Sequence, residues 1–275
     1  MNNRYFKLIQ VIVTSLAFYY LYNFFRNEVN TSEIDLQIGT NSLLVITLFF
    51  LVNNLHSLGW SNLYTKEQGF NYRDTYLFAM KSHIGKYSFV KFGNFFIRLS
   101  QNYEQTKKKD FLAKAVLEQS VLVIFGISFG IFYILSASSA ILVIFLIVIL
   151  NFLLIYLFNK FINKKISNLI EIKTFSFYIA TTFLQFGSLS IYFNSAGFDE
   201  YLYFAGIYLF SSAISIVVSV IPAGLGVKES IFIYVGNGIL NSTFFLNLLI
   251  ELRILFIISD FLSYLYSVIL LKNKN

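Results

Sequence analysis

The residues that could do chemistry are few, and they interrupt apolar sequence. Residues 221–229 read IPAGLGVKE inside a hydrophobic stretch. Pro222, the only proline of the chain, removes a backbone donor, and Gly224 and Gly226 lower helix stability. Lys228 and Glu229 are costly at mid-bilayer depth unless paired or hydrated. Irregular backbone at that depth persists only where protein buries it or where it lines a wet cavity. A second set, Glu251, Arg253 and Asp260, lies in the last apolar run. Arg253 and Asp260 are two helical turns apart on one face, too far for a direct bond, so a third group is expected beside them. Arg98 ends the segment KYSFVKFGNFFIR (86–98), which contains Gly93, and Glu118 stands near the start of the next apolar run. An arginine grips phosphate bidentately, and the N-terminus of a broken helix offers free N–H groups to the same anion. Arg98, Lys228, Glu229 and Arg253 therefore point to a lipid phosphate head group. The alternative for each charge is an ion pair that fixes helix packing, a reading that suits Glu118 and Glu251, nearer the ends of their runs.

Other chemistries lack residues. The chain has no cysteine and only two histidines, His56 and His83, with no nucleophile motif around either. This excludes disulfides, thiolate nucleophiles and cysteine or histidine-rich metal sites. Both histidines are expected at a helix contact or an interface, and no cofactor is expected. The GLG at 224–226 has no βαβ context and is not a dinucleotide fingerprint.

Positioning such residues needs helices in a membrane. Of 275 residues, 57% are hydrophobic and 13% charged, against about a quarter charged in soluble domains. Continuous apolar runs, long enough to cross a bilayer and without alternation, predict an all-α polytopic integral membrane protein and not a β-barrel. The predicted spans are about Phe6–Phe25, Asn41–Trp60, Phe111–Leu135, Ser138–Phe158, Phe175–Asn194, Tyr201–Ile221 and Phe244–Leu271, with a broken segment over Pro222–Leu240. That makes about 7–8 transmembrane helices with one or two broken or re-entrant segments, in a single domain over 1–275. The first run lacks a small-residue cleavage signal and reads as a retained span. Residues 61–110 are basic; within them Tyr76–Leu99 reads as one amphipathic helix lying on the membrane surface.

The net charge of +7 is concentrated in loops. Basic loops 61–110 and 159–174 belong in the cytoplasm and acidic loops 26–41 and 195–200 outside, so the N-terminus is cytoplasmic. Two topologies fit the last part. If 222–240 re-enters, the C-terminus is outside; if it crosses as a short broken helix, Lys272 and Lys274 end inside. FVKFGNFFIR (89–98) also aligns with VIPAGLGVKE (220–229), Gly93 on Gly224 and Arg98 on Glu229, which suggests an internal repeat of the kind that places discontinuous helices beside a transporter's substrate.

IPAGLGVKE resembles the P-G-G-L-G-[VI]-[RK]-E signature of the lysylphosphatidylglycerol synthase membrane-domain family, the flippase-like domain. KYSFVKFGNFFIR resembles that family's first motif, a K-Y-x-P-G-x-x-x-x-x-R segment, and Glu118 and Arg253 fall where similar members carry them. Ala223 stands for a glycine of the signature, and the first motif lacks its proline. The resemblance implies a stand-alone translocase-like domain in a bacterial cytoplasmic membrane. It acts on a phospholipid or a polyprenyl-phosphate-linked envelope precursor and binds no nucleic acid. The substrate-binding set is then Gly93, Arg98, Glu118, Pro222, Gly224, Gly226, Lys228, Glu229, Arg253 and Asp260. A membrane transferase on polyprenyl phosphate and a non-transporting subunit are the alternatives. Oligomeric state is open.

Overall fold

The computed structural model describes residues 40–68, 71–87, 93–100, 108–135, 172–197, 200–218, 227–236 and 242–272. The expected spans at 6–25 and 138–158 lie outside the described residues, as do Pro222, Gly224 and Gly226. Among the described residues the chain is helical, with no strand. The helices are α1 (Thr40–Gln68), α2 (Tyr72–Ser82), a 3-10 turn (His83–Tyr87), α3 (Gly93–Ser100), α4 (Lys108–Leu135), α5 (Ile172–Ser195), α6 (Tyr201–Val218), α7 (Val227–Gly236) and α8 (Ser242–Lys272). Three contain stretches long and apolar enough to cross a membrane: Asn41–Thr65, Ala113–Ile131 and Asn247–Lys272.

α1 lies along α5 and α4 along α6. The second contact is close because glycines face it. A Cβ on Gly130 would fall 2.3 Å from Phe210 Cβ, and one on Gly126 2.9 Å from Ala213 Cβ. Among the described residues two larger apolar cores form at opposite ends of the helices, with a smaller one, Ile84, Tyr87 and Ile97, at the 3-10 turn. One gathers Val45, Phe49, Phe193, Tyr208, Phe232, Leu252 and their neighbours; the other gathers Trp60, Tyr64, Phe111, Leu117 and Tyr178. α5 ends in a tight turn, with Gly197 at φ 84° in the left-handed region.

Residues 76–99 correct the expectation of one surface helix. α2 runs antiparallel to α1: the Tyr72 hydroxyl lies 3.5 Å from the Leu58 carbonyl, and Tyr76 donates to Asn54 one turn deeper. The helix then stops at the 3-10 turn, and α3 begins at Gly93. Gly85 permits the reversal, since a Cβ there would meet Asn94 N and Gly93 C at 2.7 Å. Leu77, Met80, His83 and Ile97 are buried. The amphipathic pattern thus serves a hairpin inserted between α1 and α8, not a membrane surface.

The second broken segment also reverses. Phe232 of α7 lies 6.4 Å from Phe204 of α6, and Lys228 reaches Tyr208. These pairings make α6 and α7 antiparallel neighbours, not one helix. α7 starts beside the middle of α6 and runs toward the end where α6 begins. α8 starts near that same end, with the Leu248 carbonyl accepting from the Tyr192 hydroxyl at 3.1 Å. It then passes the middle of α1.

Candidate functional site

Asp260 stands at the middle of the span Asn247–Lys272 and is 1% exposed. A carboxylate there must be paired and hydrogen-bonded. Its Oδ1 accepts from Asn53 Nδ2 at 2.8 Å, and the same nitrogen lies 3.1 Å from Ser263 Oγ and 3.3 Å from Ser259 Oγ. Its Oδ2 accepts from the Tyr87 hydroxyl at 2.5 Å and pairs with Lys86 Nζ at 2.5 Å. Lys86 and Tyr87 come from the 3-10 turn, so the break in the hairpin is what delivers them. Lys86, not Arg253, is the cation paired with Asp260.

One turn before Asp260, Phe256 holds the centre of the site. Lys86 Nζ lies 5.8 Å from its ring centroid and Lys228 Nζ 5.3 Å. Phe49 stacks on it at 3.9 Å and Tyr208 at 6.1 Å. Lys228 also donates to the Tyr208 hydroxyl and sits 3.6 Å from that ring's centroid. Arg253 is one turn further back on the same face of α8, and its charge reaches the Tyr87 hydroxyl. The two broken segments therefore meet at one ring. The site is not sealed: the Lys86 side chain remains 35% exposed, and Lys228 and Arg253 are half-buried.

Arg98 and Glu118 form a second cluster. Arg98 Nη1 donates to both Glu118 oxygens, at 2.9 and 2.7 Å, and Arg98 Nε donates to Ser82 Oγ at 2.8 Å. The guanidinium lies 4.6 Å from the Trp60 ring. His56 Nε2 lies 2.8 Å from Glu118 Oε1. The His83 ring is 5.3 Å from His56, and its Nε2 is 3.1 Å from Ser57 Oγ. Arg98 and Glu118 are 1% and 0% exposed along their side chains. The pair joins α3 to α4 under α1.

Of the residues expected from sequence, Lys228 and Asp260 come to the surroundings of Phe256, with Arg253 one turn away along α8, Arg98 and Glu118 pair separately, and Gly93 lies against Gly85 at the base of α3. Glu229 lies in α7. Lys86, Tyr87, Asn53, Tyr208 and Phe256 were missed. Asn53 had a readable signal: Asn53, His56, Ser57, Trp60 and Ser61 recur at helical spacing on α1, and all but the half-buried His56 are buried. Among the described residues no cluster of three or more His, Asp or Glu could hold a metal. Comparisons with family models, curated proteins and solved structures returned no match.

Proposed function

We propose that the protein binds the phosphate of an anionic membrane lipid around Phe256 and moves that lipid, or a lipid-linked envelope precursor, between leaflets. The observation that carries this reading is the approach of Lys86 and Lys228, from two separate broken segments, to one ring on α8 beside Asp260. Cations are expensive at membrane depth, and their collection at one point is what an anionic ligand needs. Half-burial keeps them reachable, and Phe256, Phe49 and Tyr208 supply an apolar floor on which acyl or prenyl carbon can lie. The resemblance of IPAGLGVKE and KYSFVKFGNFFIR to flippase-like motifs supports the same reading.

In the empty state Asp260 holds Lys86. An arriving phosphate competes for that lysine, with Lys228 and Arg253 completing its shell, and departure restores the pair. The runs at 6–25 and 138–158 join α1, α4, α5, α6 and α8 as spans, and the broken crossing through α7 brings the number to eight. The basic loops, and with them both termini, then face the cytoplasm.

Translocation in proteoliposomes tests this. Each charged hydrogen bond to phosphate contributes about 1.5–3 kcal/mol, so Lys228→Ala and Arg253→Ala are each expected to slow lipid transfer about tenfold or more while the protein stays folded. Glu229→Ala is expected to slow it as well. Unchanged rates in all three reject the assignment.

A further inference from the structure

We propose that anion binding at Phe256 is coupled to proton uptake by His56, which makes the translocation proton-linked. The inference rests on the head-group reading above and adds to it a second ligand. Imidazole is the side chain that ordinarily changes charge near neutral pH, and buried His and carboxylate chains in membrane helices form proton relays. His56 faces such a chain from every side. From α4 it meets Glu118 Oε1 at 2.8 Å, with Lys114 one turn before Glu118. From α3 comes Arg98, already bound to both Glu118 oxygens. From α5 comes Tyr178, whose ring is 5.8 Å away. From the 3-10 turn comes His83, 5.3 Å away and within electrostatic reach of Lys86 and Arg98.

A proton on His56 adds one positive charge beside Glu118, and that charge attracts an anion nearby. Three helical residues separate His56 from Asn53, roughly 5 Å of axial rise, and Asn53 touches Asp260. A unit charge at roughly 10 Å in an effective dielectric of about 20 alters affinity about tenfold. By reciprocity, a bound anion favours the proton as much as the proton favours the anion. His83 and Lys86 lie three apart in the 3-10 turn and so share one side of it. The turn thereby links the two clusters.

The test is calorimetric titration of the purified full-length protein in detergent with phosphatidylglycerol, whose phosphodiester keeps one negative charge over the range used. Repeating it in buffers of different ionisation enthalpy counts the protons taken up. Wild type is expected to take up protons on binding the lipid, with affinity about tenfold higher at the acid end of the pH series than at the alkaline end. His56→Gln and His56→Asn are expected to bind without uptake and with a flat pH profile. Saturable binding without uptake in wild type, or uptake that survives in both variants, overturns the coupling and leaves the head-group site standing. No saturable binding at any pH removes the site and the coupling with it. A soluble glycerol phosphodiester run in parallel separates the sources: uptake with both ligands supports coupling to phosphate itself, and uptake with the lipid alone supports coupling to a lipid.

Discussion

At the residue scale, the two carboxylates buried among the described residues do different work. Glu118 is fully buried against Arg98 and His56. Removing one partner of such a pair strands the other charge. Glu118→Ala is thus expected to cost about 3–5 kcal/mol, and the double change Arg98→Met with Glu118→Leu much less. Thermal unfolding in detergent checks this, and Trp60, the only tryptophan, reports it directly because Arg98 lies on its ring. Asp260 competes with the ligand for Lys86 instead. Asp260→Asn is expected to bind phosphatidylglycerol several-fold tighter yet transfer it more slowly, whereas weaker binding would contradict the competition. Arg98, Glu118, Lys228, Arg253 and Asp260 were legible because charge in an apolar run needs a reason. Lys86 was not, because in a basic segment a lysine looks like one more surface charge.

At the element scale, apolar runs and loop charges located α1, α4, α5, α6 and α8 within a few residues, apart from α1, which runs eight residues beyond its expected end. Burial in a bilayer demands long uninterrupted helices, so their ends show in composition. The α2 hairpin was only partly legible: the alignment of 89–98 with 220–229 suggested a break, but the amphipathic pattern of 76–99 also fitted one surface helix. SHIGKYSF carries one glycine and no proline, and only the tight approach of Gly85 to Gly93 reveals why the helix ends there. Gly85→Ala is therefore expected to displace the 3-10 turn and with it Lys86 and Tyr87. Head-group binding should weaken about tenfold or more while α4 and α6 stay packed. The G-x-x-x-G at 126–130 is a close-contact spacing that the sequence reading missed. Gly130→Leu is expected to part α4 from α6 and lower the unfolding temperature far more than Gly187→Leu, where an added Cβ meets nothing within 4 Å.

At the scale of the whole molecule, polarity is inverted relative to a soluble bundle. Along α8, Ser259, Asp260, Ser263 and Ser267 are buried while Ile258, Phe261, Leu262, Leu265, Tyr266 and Ile269 face outward. Water would reverse that arrangement and lipid favours it. Ile258→Lys, close to the middle of the span, is expected to cost about 2.5–3.5 kcal/mol of insertion, visible as lost membrane-fraction protein, while Ser259→Ala is not. The fold thus uses long apolar helices as a frame and two broken segments to bring cations inward. The most direct measurement of that claim is native mass spectrometry of lipids retained by the purified protein. Wild type is expected to keep anionic phospholipid through detergent washing, and Lys86→Ala with Lys228→Ala to keep about tenfold less. A control that loses the same charge at exposed Lys173 and Lys272 is expected to match wild type. Equal retention by both double variants would contradict a phosphate site at Phe256.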